Sequence, residues 1–177
     1  MDREAFKIVK IALNDAKAKL ALMKRAVTPE ACISSWQDFL VAQHRVFAKL
    51  KYVTMNDPSK GWFDQITNER RTDDLLKYLL HARDQLEHGG RDVIQHRRQT
   101  TLLQWDQNQT GADAFKPIMT VPAHVRIFPV IDRSTKYLLP KLHLGKTLDK
   151  SDPISIAELA LMYLDSKVSE AETCFVK

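Results

Sequence analysis

The chain has 177 residues, 44% of them hydrophobic and 28% charged; these are ordinary values for one folded domain and exclude wholesale disorder. Five glycines and seven prolines exclude a collagen-like or low-complexity chain, and two cysteines are too few for a disulfide framework or a four-cysteine zinc cluster. The formal net charge of +5 is uneven: the first 60 residues hold 11 Lys and Arg against 6 Asp and Glu, and the remainder is balanced.

Such an asymmetry suits an anionic partner or a solvated basic face. Cys32 and Cys174 are expected as reduced thiols of a cytoplasmic protein. Lys7, Lys10 and Asp15 interrupt the N-terminus, so no signal peptide is expected. No window approaches the roughly 18 apolar residues that a membrane span needs.

Phe6, Val9, Leu13, Ala16, Leu20, Met23 and Val27 alternate three and four residues apart, which predicts an α-helix over about 2–26. Ile8, Ile11 and Leu22 widen its apolar face, pointing to packing in a bundle or a dimer. Arg3, Lys10, Lys17 and Lys24 recur every seven residues beside that seam. This stripe is either a solubilising flank or a face for phosphate contact.

Thr28-Pro29-Glu30 reads as a second helix start, with Thr as N-cap and Pro in the first turn. Ile33, Trp36, Leu40, Phe47 and Leu50 carry that helix to about Tyr52, and a turn follows over 54–61. A short helix is expected over 62–71. Thr72-Asp73-Asp74 then caps a fourth helix over 73–88, with Leu75, Leu76, Leu79, Ala82 and Leu86 on one face and Gly89-Gly90 as its stop.

The character then changes. Segments 93–96, 100–105 and 125–131 are β-like, and 136–139 is a candidate fourth strand. A turn is expected at Asp106 to Gly111, and Pro117, Pro122, Pro129 and Pro140 limit how central the strands can be. Segment 140–152 reads as irregular. Ser155-Ile156-Ala157-Glu158 has the form of a capping box for a closing helix within 153–175.

The familiar phosphate-loop, nucleophile-elbow and metalloprotease motifs are missing. Polar chemistry concentrates instead at the end of the fourth helix. His81, Asp84 and His88 fall on one face at i, i+3 and i+7, and Arg83 lies four residues before Glu87. In this reading Glu87 pairs with Arg83 while Asp84 orients His88 for acid–base work. Arg83 supplies a planar cation suited to phosphate. A solvated helix end with ordinary ion pairs is the plainer reading of the same spacing. Metal ligation by His81, Asp84 and His88 with His44 is a further option, but the expectation is no metal and no cofactor.

Arg83-Asp84-x-x-x-His88 resembles the Arg-x(4–6)-His motif of the HEPN superfamily, the higher eukaryotes and prokaryotes nucleotide-binding domains. The resemblance implies a helical bundle and a metal-independent ribonuclease of a toxin or defence system, with arginine and histidine meeting across a homodimer. It implies Arg83 as the phosphorane-stabilising cation, His88 as acid–base and Asp84 as their positioning group. His81, Glu87 and the lysines Lys10, Lys17 and Lys24 become possible supporting or RNA contacts.

The segment from Leu76 to Gly89 also resembles the (Tyr/Leu)-Leu-x-His-Ala-Arg-Asn-x-x-Glu-His-Gly stretch of uncharacterised bacterial and phage proteins, with Asp84 in place of Asn. His143-Leu144-Gly145 and the helix at 157–164 resemble the same proteins.

The expected fold is α+β, mainly α, in a single domain over 1–177. Its parts are a bundle of about four helices within 1–90, a small antiparallel sheet or β-ribbon over 91–152 and the closing helix. The expected function is an HEPN-like ribonuclease; the alternative is a non-enzymatic interaction or RNA-binding protein in which the Arg83/His88 segment is structural.

Overall fold

A computed structural model of the chain describes residues 3–55, 59–89, 93–97, 100–105, 115–121 and 124–176. The fold is α+β and mainly helical: helices α1 (Arg3–Arg25), α2 (Pro29–Thr54), α3 (Ser59–Thr72) and α4 (Asp74–Asp84), short antiparallel strand pairs, and a closing helix α5 (Pro153–Phe175). Residues 56–58 of the turn expected over 54–61, the turn expected at 106–111, Gly90 of the glycine stop, and Pro122 lie outside the described residues; Ser59 to Gly61 of the first turn already belong to α3.

The α1 seam forms as its spacing predicts. Phe6, Val9, Leu13, Ala16, Leu20 and Met23 are buried, with Ala12 beside them. The seam ends at Met23, because Val27 lies in the α1–α2 link and is 95% exposed. Ile11 and Leu22 are also exposed, at 67% and 53%: α2 and α5 cover a narrower stripe than the apolar residues could fill. Ion pairs Lys19–Asp38 and Arg45–Asp15 show α1 and α2 running antiparallel. Thr28 caps α2 by accepting from the Ala31 amide at 3.2 Å, with Pro29 next to it. Trp36, Phe39, Leu40 and Leu50 from α2 pack with Tyr78 and Leu79 of α4 and with Ile156 and Ala157 of α5 in one core.

Asp73 is the N-cap of α4 and also anchors a distant hairpin. Its carboxylate accepts from the Leu76 amide at 3.0 Å, from the Leu144 amide at 2.6 Å and from His143 Nδ1 at 3.0 Å. Burial by itself would raise its pKa, but these donors outweigh burial and hold it below the usual carboxylate value. Leu144 has φ of 49° and Gly145 of 78°, so the turn has the positive backbone angles of a type I′ hairpin. Holding a leucine there is unfavourable, and the bond to Asp73 offsets that strain.

The strands form four two-stranded antiparallel ladders where one small sheet was the simplest expectation. The chain passes through β1 (Ile94–Arg97) and β2 (Thr100–Trp105) and returns through β3 (Phe115–Val121) and β4 (His124–Ile127), with β1 pairing β4 and β2 pairing β3. This is the ribbon alternative. The pattern does not reveal β3, since Pro117 breaks its run; an edge position opposite Leu103 accommodates the proline.

The expected strand over 125–131 divides at Phe128-Pro129 into β4 and β5 (Val130–Asp132), and β5 pairs with β6 (Thr135–Tyr137) through a turn with positive φ at Arg133 and Ser134. The segment read as irregular contains the small hairpin of β7 (Leu142–His143) and β8 (Lys146–Thr147).

Two helix ends differ from expectation. Asp152, accepting from the Ser155 amide at 3.0 Å with Pro153 after it, caps α5, so Ser155 is inside the helix and its capping box does not form. The last turn expected of the fourth helix is a π-helical turn over Gln85–Gly89.

Candidate functional site

Leu75, Leu76, Leu79 and Ala82 bury one side of α4, which leaves its polar side at the edge of the core beside β5 and β6. His81 Nδ1 lies 2.8 Å from Asp132 Oδ2, at the end of β5. The imidazole stacks on Tyr137 of β6, ring centroids 3.5 Å apart and planes 13° apart. The Gln85 side-chain oxygen accepts the Ile131 amide, so β5 is held at two adjacent points.

Arg83 donates to Asp84 Oδ1 at 2.9 Å and to Glu87 Oε2 at 2.6 Å. The expected Arg83–Glu87 pair therefore forms. The expected Asp84–His88 pair does not: His88 is exposed, with no hydrogen bond or ion pair among the described residues. The π-turn is the physical reason. Its wider i→i+5 winding takes His88 out of the α-helical register that would place it over Asp84. His81 and Asp84, both before the π-turn, stay together and are joined by Asp132. These three each bring one ligand atom within 4.8 Å of the others. A metal set of His81, Asp84 and His88 with His44 is not assembled.

Arg70, which no motif or helical spacing in the sequence marks, belongs to the same region. Its guanidinium carbon lies 3.9 Å over the Phe47 ring, and one of its nitrogens is 3.4 Å from His44 Nδ1. The acid beside it, Glu69, is taken by the Tyr163 hydroxyl at 2.6 Å and by Lys167 at 3.5 Å. No carboxylate among the described residues is within ion-pair distance of Arg70. Its Nε and that of Arg83 are both buried without a hydrogen-bond partner. Burial chiefly lowers Arg70 to about 10, so it remains charged at neutral pH. Burial first, then the charges of Arg83 and Arg70, pushes His44 down to about 4. The only signal in the sequence was the Arg70-Arg71 pair closing α3.

The lysine stripe is engaged in ion pairs with α5. Lys10 pairs with Glu172 at 2.5 Å, Lys17 with Asp165 at 2.5 Å and Lys24 with Glu158 at 2.6 Å. These acids are themselves seven residues apart on α5, so two heptad stripes close on each other between antiparallel helices. The spacing of Glu158, Asp165 and Glu172 was the signal that could have found it. All three pairs are about half exposed.

Trp36 is fully buried, and Trp62, partly buried against the same core, donates to Glu170 at 2.7 Å and leans on Phe175. Arg126, on β4, is exposed, and Arg98 lies outside the described residues. Cys32 is buried and Cys174 exposed, and they are not bonded to each other. No helix among the described residues is long and apolar enough to cross a membrane. No family model, curated protein or solved structure matches the chain.

Proposed function

We propose that the chain is an HEPN-like, metal-independent endoribonuclease of a toxin or defence system, acting on RNA as a homodimer in the cytoplasm. The observation that carries the reading is His88: an imidazole that is exposed and, among the described residues, without a hydrogen bond or ion pair, five residues after an arginine at the end of one helix. Two further features support it. Arg83 is oriented by Asp84 and Glu87, and Arg70 brings a second guanidinium to the same region with no carboxylate among the described residues within ion-pair distance of it. In this reading the ribose 2′-hydroxyl attacks the adjacent phosphate, Arg83 stabilises the charge of the phosphorane, and the bond to the 5′-oxygen breaks to leave a 2′,3′-cyclic phosphate. His88 of the other protomer takes the 2′ proton and returns it to the leaving 5′-oxygen, and Asp84 positions Arg83. Glu87 and His81 act as supports, and the RNA contacts lie at the α4 end, since Lys10, Lys17 and Lys24 are engaged with α5.

The test is cleavage of a mixed-sequence RNA by the purified chain in EDTA. Cleavage is expected to persist in EDTA and to fall by at least about 100-fold in R83A and H88A. H88A should melt as the unsubstituted protein does, because the side chain is exposed. Cleavage unchanged by either substitution overturns the proposal. The double engagement of Arg83 favours a second reading, a non-enzymatic interaction or RNA-binding protein with a structural Arg83 segment. That reading predicts no cleavage at all and a lowered melting temperature in R83A.

A further inference from the structure

We propose that His81, Asp84 and Asp132 form a binding site for one divalent transition-metal ion, zinc or manganese, that fastens the β5–β6 hairpin to the end of α4. The inference stands on the placement of these three side chains and not on the ribonuclease reading.

The donor set is mixed, one imidazole nitrogen and two carboxylates, and comes from two elements distant in the chain. His81 and Asp84 are at i and i+3 on one face of α4, and Asp132 ends β5. Their ligand atoms lie within 4.8 Å of one another. Around zinc, with bonds of about 2.0–2.2 Å, neighbouring ligand atoms sit roughly 3.4 Å apart, so small side-chain rotations close the set.

The groups are constrained before any ion arrives. Tyr137 fixes the His81 ring plane by stacking, and Gln85 holds β5 at the residue preceding Asp132. The side chains are 18%, 24% and 12% exposed, which leaves a path for an ion and room for water as further ligand. Imidazole favours zinc and other transition ions, carboxylate favours manganese and magnesium, and the mixture disfavours magnesium, which prefers oxygen alone.

Besides the more distant charge of Arg70, Arg83 is the cation that competes for Asp84. It has Glu87 at 2.6 Å as a second partner, and a carboxylate has two oxygens, so Asp84 can keep Arg83 on one and ligate through the other. The ion would then complete the connection from β5 through Asp84 to Arg83 without touching His88.

The experiment is calorimetric titration of chelator-stripped full-length chain with Zn²⁺, Mn²⁺ and Mg²⁺, with melting temperature read in parallel. Zn²⁺ or Mn²⁺ should bind once per chain and raise the melting temperature, and Mg²⁺ should bind at least tenfold more weakly. D132N, nearly identical in shape, should weaken binding at least about tenfold. If D132N does not give the helical circular dichroism of the parent, D84N takes its place. Absence of saturable binding, or binding unchanged in both D132N and H81A, overturns the proposal and leaves the His81–Asp132 contact as a hydrogen bond only. The readout contains no RNA, so its failure and that of the ribonuclease reading are separate results.

Discussion

His44 on α2 lies 3.4 Å from a nitrogen of Arg70 and also feels the charge of Arg83, so a further positive charge there is unfavourable. Burial and those two arginines lower its pKa to about 4, against 6.5 for a free imidazole. Between these values the unfolded chain binds the proton more readily than the folded one. The contribution of neutral His44 to stability is therefore complete above about pH 6.5 and is lost as pH falls toward 4. We expect the His44 ring resonances to remain those of the neutral form at pH 6 and to move only below about pH 5. The melting temperature should decline over the same window, with a smaller decline in H44Q. A titration midpoint near 6.5 would show that the arginines do not face His44 as described. The candidate site was partly legible at this scale: Arg83, Glu87, Asp84 and His81 were marked by helical spacing. Asp132 and Arg70 were not, because the partner of each is remote in the chain.

Among the elements, the α1–α5 pairing shows how a periodic signal can be seen while its meaning is missed. The seven-residue recurrence of Lys10, Lys17 and Lys24 is visible in one segment, but its complement is nearly 150 residues away. Each pair is exposed and contributes little, on the order of 0.2–1 kcal/mol, so the ladder selects register and direction more than it stabilises. K17E, which opposes two acids at Asp165, should lower the free energy of denaturant unfolding by about 0.5–1 kcal/mol, and the double variant K17E/D165K should recover most of the loss. Additive losses in the double variant would mean that the two side chains do not pair. The π-turn belongs to this scale as well. The pattern 75, 76, 79, 82, 86 suits a continuous α-helix, and nothing local in Gln85-Leu86-Glu87-His88-Gly89 distinguishes the wider winding. It forms where Gln85 is buried and its side chain is bonded to β5.

For the whole molecule, the ribonuclease reading requires two copies with each site built from both. R83A and H88A should then complement one another. Mixed and reassociated, roughly a quarter of the parental cleavage should return, since half the dimers are mixed and each of those keeps one intact site. Two inactive variants that stay inactive when mixed would place both groups in one protomer or in no site at all.

The helices, their seams and the caps at Thr28 and Asp73 follow from neighbours three to seven residues apart, and residues so close carry their own instructions. The class of the fold and the concentration of polar groups at the end of α4 were accordingly readable along the chain. The partners of those groups were not. Asp132 for His81, α5 for the lysine stripe and Asp73 for the Leu144 turn all depend on where distant segments come to rest. Packing of the apolar core sets those positions, and the local pattern of any one segment contains no record of them.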